Sequence, residues 1–87
     1  MDEPPRISFP CSYPIKVIMV SGDSHASEVL ALVQVHAPEV DELNAEIVPS
    51  RNGKYGSVRV VIQATGEEQL QALHQDLMAL TYVKMVL

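Results

Sequence analysis

The 87-residue chain has no tryptophan, one phenylalanine and one cysteine. A lone thiol, Cys11, cannot close an internal disulfide, so no covalent staple supports the fold. Apolar runs are short, Val17–Val20 being among the longest, against the ~20 residues needed to span a bilayer. No N-terminal stretch has the basic, apolar, small-residue layout of a signal peptide. These absences predict a cytoplasmic protein without a membrane partner. Cations are scarce too: six Lys and Arg against eleven Asp and Glu give a net charge of −5. Nucleic-acid binders usually carry the opposite balance, because phosphate neutralisation supplies most non-specific affinity. No P-loop, GxGxxG or Ser-His-Asp spacing is found, and the four methionines are scattered, so neither an enzyme nor a cofactor is expected.

What is present is a 47% apolar composition arranged in two periodicities. A chain this short buries about 60–65% of its unfolded surface, enough for one modest core. Residues 1–13, with three of the six prolines, read as a flexible tail, and residues 14–87 as a single domain. Pro14–Val20 reads as a strand with Lys16 marking its solvent side. After the loop Ser21–Ser24, a helix is capped by Asp23 or Ser24 and carries Glu28 in its first turn. Its apolar stripe is Ala26, Val29, Leu30, Val33 and Ala37, and Pro38 ends it. Leu43–Ser50 and Tyr55–Ala64 alternate around Asn52-Gly53, a strong hairpin signal. A two-residue turn pairs Arg51 with Lys54, Ile47 with Val58, Ala45 with Val60 and Leu43 with Ile62, and sets Glu46 opposite Arg59. Thr65 and Glu68 form a capping box for a second helix with the stripe Leu70, Leu73, Leu77 and Leu80. The closing strand is expected to turn Val83, Met85 and Leu87 inward, and Tyr82, Lys84 and Val86 outward. The fold class is therefore α+β: a ferredoxin-like βαββαβ sandwich, its four-stranded antiparallel sheet in the order 4-1-3-2 with two helices on one face.

Gly53–Val60, GKYGSVRV, partly matches the third strand of an RRM, whose sheet stacks RNA bases on aromatics. Only Tyr55 supplies a ring. Ser57 holds the second aromatic slot, Val60 points inward, and the first strand offers Lys16, Ile18 and Val20. The segment is a hairpin arm, and no nucleic acid is expected as a partner.

Few residues suggest chemistry. His25 and His36 bracket the first helix ~16 Å apart, too far to share a metal, and no thiol or carboxylate at ligand spacing joins His36 to His74. Cys11 has no base beside it, and Glu39, Asp41 and Glu42 read as a solvated loop. The loop Ser21, Gly22, Asp23 and Ser24 is the candidate ligand loop: Gly22 admits close backbone approach, and a helix start presents free N–H groups. The uncovered sheet face is the stronger candidate. Ile18, Val61 and Val86 are apolar where alternation predicts polar residues, and with Arg59 and Lys84 they outline a candidate interaction face. A homodimer, a protein partner or the chain's own tail would cover it.

FPCSYPIKV, the HAP of His36–Pro38, PSRNGKYGSV and the terminal MVL resemble the YbeD-like family of small bacterial proteins. The resemblance implies a fold akin to ACT regulatory domains, and carries over no catalytic residues. Members are often encoded beside lipoate-attachment genes, which implies a link to lipoate metabolism. The expected function is a non-enzymatic regulatory or protein-interaction domain working through its sheet. The alternative is an ACT-like sensor of a small amino acid or carboxylate.

Overall fold

The computed structural model describes residues 8–49 and 53–87. In chain order it contains β1 (Cys11–Val20), α1 (His25–His36), a 3-10 turn (Glu42–Asn44), β2 (Glu46–Pro49), β3 (Tyr55–Ala64), α2 (Glu67–Ala79) and β4 (Val83–Val86). The sheet order is β2-β3-β1-β4, every pairing antiparallel, which is the expected 4-1-3-2 read from the other edge. β1 begins at Cys11, three residues before the Pro14 suggested by the sequence, and pairs with β3 along its whole length from Cys11↔Ala64 to Val20↔Tyr55.

Alternation sorts the sheet into two faces. Ile15, Val17, Met19, Val58, Val60 and Ile62 face the helices and are buried with Val29, Leu30, Val33, Leu73 and Leu77 in one core. Each large aliphatic buried there contributes about 1.5–3 kcal/mol. The helical stripes are as expected: Val29 and Val33 are fully buried on α1, Leu77 on α2, while Leu70 and Leu80 pack at the core's edge. Val40, in the loop after α1, also reaches the core, where Gln34 Nε2 donates to its carbonyl at 2.9 Å.

The hairpin register is the predicted one where it is described: Glu46↔Arg59, Ile47↔Val58, Val48↔Ser57 and Pro49↔Gly56. Gly53 has φ +72°, the left-handed conformation the turn requires; Asn52 and Arg51 lie outside the described residues. The upstream half of the prediction fails. Residues 42–44 form a 3-10 turn instead of strand, because the Asp41 carboxylate accepts the Asn44 N–H at 3.0 Å, and Leu43 is 94% exposed. Ala45 and Leu43 thus have no β3 partner, and the free Gln63 N–H of β3 is taken by the Glu39 carboxylate at 2.8 Å. Neither helix packs substantially over β2, so Ile47 remains 55% exposed although its partner Val58 is buried.

Two more local expectations shift by one residue. α2 starts at Glu67 after Gly66, so Gln69, not Glu68, reaches back to the Thr65 N–H (2.8 Å). Its amide also donates to the His36 carbonyl (2.8 Å), tying the two helices together. In β4, Val17↔Val86 and Ile18↔Met85 are followed by Met19↔Val83, a β-bulge that absorbs Lys84. The bulge inverts the expected parity beyond it. Val86 faces the helices beside Val17, while Met85 and Leu87 share the open face with Ile18 and Lys16.

Candidate functional site

The open sheet face carries Lys16, Ile18 and Val20 on β1, Glu46 and Val48 on β2, Tyr55, Ser57, Arg59 and Val61 on β3, and Met85 on β4. Of the expected interaction residues, Ile18, Arg59 and Val61 lie here, and Val61 is 57% exposed. Val86 does not; Met85 takes its place beside Ile18, and Lys84 sits at the bulge on the sheet's outer edge. The patch remains apolar, with a different third member.

Its charge is distinctive. The described cations, Lys16, Lys54, Arg59 and Lys84, all belong to strands or to the hairpin. The described acids Asp23, Glu28, Glu39, Asp41, Glu42, Glu67, Glu68 and Asp76 lie on helices and connecting loops, leaving Glu46 on a strand. The acidic chain is polarised, with its basic side on the sheet. Among the described residues no carboxylate lies within salt-bridge distance of Lys16 or Arg59.

Between Ile18 and Val48 the small Ser57 leaves a shallow depression of about 200 Å³, lined also by Lys16, Pro49, Tyr55 and Gly56. Ser57 is 8% exposed, the one buried polar residue among those described. Its hydroxyl has no hydrogen-bond partner among the described residues and keeps some contact with solvent.

The candidate ligand loop is arranged differently from its expected form. The His25 imidazole folds over Gly22, where an added Cβ would stand 2.4–2.7 Å from three ring atoms. Its Nδ1–H donates to the Val20 carbonyl at 2.6 Å, since a carbonyl oxygen only accepts. The other side of the ring stacks on Tyr82, centroids 3.6 Å apart and planes 2° from parallel. Tyr82, expected outward on the last strand, instead lies in the turn before it; its backbone carbonyl accepts the Val20 N–H and its hydroxyl donates to Glu28 at 2.6 Å. Burial, and then the bonded Glu28 carboxylate, push the Tyr82 hydroxyl up to about 12. The same bond, helped by one from Ser24 (3.2 Å), holds Glu28 below its ordinary value. Ser24 thus occupies the N-cap position but bonds Glu28, not the backbone. The backbone that Gly22 would have offered to a ligand is covered, and Asp23 and Glu28 leave the loop acidic.

A family profile described as "Protein of unknown function (DUF493)" matches residues 4–87. A UPF0250 protein of Azotobacter vinelandii is 51% identical over 84 residues, covering 95% of this chain and 91% of that protein. One from Pseudomonas aeruginosa is 45% identical, covering 98% and 92%. The chain belongs to this family. The YbeD-like proteins are the UPF0250 family, so the resemblance carried by FPCSYPIKV, HAP, PSRNGKYGSV and MVL stands. The solution structure of protein HP0495 from H. pylori is similar over 98% of this chain and 89% of that one, with TM-score 0.66 and 26% identity. The family description names no activity.

The remaining histidines are placed as follows in this UPF0250 chain. His36 Nε2 bonds Asp76 at 2.6 Å, joining the C-terminal end of α1 to α2. His74 lines a small apolar slot with Tyr13, Ile15, Leu70, Leu73, Val86 and Leu87. Among the described residues no three His, Cys, Asp or Glu side chains cluster as metal ligands, and no helix is long and apolar enough to cross a membrane. The pairs His25–Tyr82 and His36–Asp76 join residues far apart in sequence, so local spacing carried no signal of them.

Proposed function

We propose that this protein is a non-enzymatic binding module whose open sheet face docks an acidic, apolar-containing segment of a partner protein. The observation that carries the reading is the segregation of charge: Lys16 and Arg59, unengaged by carboxylates among the described residues, stand beside Ile18, Val61 and Met85 in a chain of net charge −5. An apolar centre with a charged rim is the anatomy of a docking surface, and opposite charge on the partner both steers encounter and selects it. A face-to-face homodimer is less favoured, because it sets Lys16 and Arg59 of one copy against those of the other. The family resemblance points to lipoate metabolism as the setting.

The test is chemical-shift mapping with two probe peptides, one mixing glutamate and leucine, the other lysine and leucine. The acidic peptide is expected to move the amides of Ile18, Ser57, Arg59 and Val61, with affinity falling as salt rises. Equal shifts from the basic peptide, or shifts on α1 and α2 instead, overturn the reading. Sedimentation of the free protein as a dimer closed through this face overturns the choice of partner.

A further inference from the structure

The geometry points to the depression over Ser57 as a socket for one glutamate side chain of the docked segment, an inference that rests on the binding reading above. Three features converge there. Ser57 is more than nine-tenths buried, yet its hydroxyl has no partner among the described residues and opens into the depression. The hydroxyl keeps contact with solvent, so it is free to donate to an acceptor that enters the depression. Lys16 lines the same depression and has no carboxylate partner among the described residues, so a positive charge stands at its rim. The walls are apolar, from Ile18, Val48, Pro49 and the ring of Tyr55.

An occupant must therefore offer an apolar body and an anionic, hydrogen-bond-accepting tip. A glutamate side chain does both. Its methylenes lie against Ile18 and Val48 while its carboxylate accepts from the Ser57 hydroxyl and faces the Lys16 ammonium. The register explains why the socket exists at this point. Ser57 sits between Ile18 on β1 and Val48 on β2 across the sheet, so one small residue among larger neighbours opens a hole. The glutamate contact anchors the segment while the apolar residues lining the depression shield it from water.

The experiment measures affinity of the glutamate–leucine peptide for the parent, Ser57→Ala and Ser57→Val, with circular dichroism confirming that each variant is folded. Ser57→Val fills the hole with a β-branched residue suited to a strand, and is expected to weaken binding at least tenfold. Ser57→Ala keeps the space and removes the hydroxyl, and a several-fold loss is expected. A peptide with glutamine in place of glutamate should lose affinity to the parent by a similar factor. If Ser57→Val binds like the parent while Val61→Glu abolishes binding, the socket is wrong and the sheet-face reading survives. If the parent shows no sheet-face binding at all, both fail. Glutarate alone, reproducing the shift at Ser57 with the same affinity as the peptide, would make the occupant a free small carboxylate and overturn the assignment to a protein segment.

Discussion

Replacing Tyr82 by Phe removes one hydroxyl and keeps the ring that stacks on His25 at 3.6 Å. The hydroxyl donates to Glu28 at 2.6 Å. Solvent reaches the exposed Glu28 carboxylate, so the bond contributes far less than a shielded hydrogen bond to a charged group, and the expected loss is small. In a domain of this size a small loss still reads as a measurable fall in Tm. The pH dependence tests the coupling at both ends: burial and then the bond raise the Tyr82 hydroxyl, while the bond is the main cause that lowers Glu28. The Tyr82 hydroxyl moves from 10.0 to about 12 on folding, so it is protonated in both states below pH 10 and its contribution is fully present there. Between pH 10 and 12 the unfolded state loses its proton first, and the contribution fades. At the acid end, the lowered Glu28 keeps its share above its ordinary value of 4.5 and loses it as pH falls through the folded value. Urea titrations of parent and Tyr82→Phe across this range should give a difference that is flat from about pH 5 to 10 and shrinks above it. A difference that persists undiminished at the alkaline end, or is absent at pH 8, refutes the bond.

Gly22→Ala should cost about 1–2 kcal/mol by driving the His25 ring off its stack and off the Val20 carbonyl, and should be nearly neutral in a His25→Ala background; a double-mutant cycle by urea unfolding measures the coupling. Gly53→Val forces a β-branched residue into φ +72° and should lose about 1–2 kcal/mol, read as a lower Tm; a parent-like Tm would deny the turn. Val86→Asp should destabilise by at least about 2 kcal/mol, whereas Met85→Asp should stay within about 0.5 kcal/mol in the same denaturation assay; the reverse order would remove the bulge.

The hairpin was legible because two independent signals agree: alternation allows only every second register, and Asn52-Gly53 selects among those. The helices were legible from their leucine and valine stripes, and with them the sheet order. The last strand misled because YVKMVL alternates no differently with or without an extra residue at Lys84; only its pairing with β1 reveals the bulge. Leu43-Asn44-Ala45 imitated a strand, yet the Asp41 carboxylate closes a turn on the Asn44 N–H, a competition that period-2 patterning does not register. Of the apolar residues expected on the open face, Ile18 and Val61 therefore lie there, and Met85 stands where Val86 was expected. Nothing in the sequence marks Ser57 as buried, for a related reason. A serine on an open face reads as ordinary solvent contact, and its burial between Ile18 and Val48 emerges only when three strands are assembled.

The most direct test of the docking face is a charge swap. Binding of the glutamate–leucine and lysine–leucine peptides is measured by calorimetry for the parent and for the double variant Lys16→Glu/Arg59→Glu, both confirmed folded. The parent should bind the acidic peptide in preference to the basic one, and the double variant should reverse that preference. A double variant that still prefers the acidic peptide would show that Lys16 and Arg59 do not select the partner, and would contradict the account.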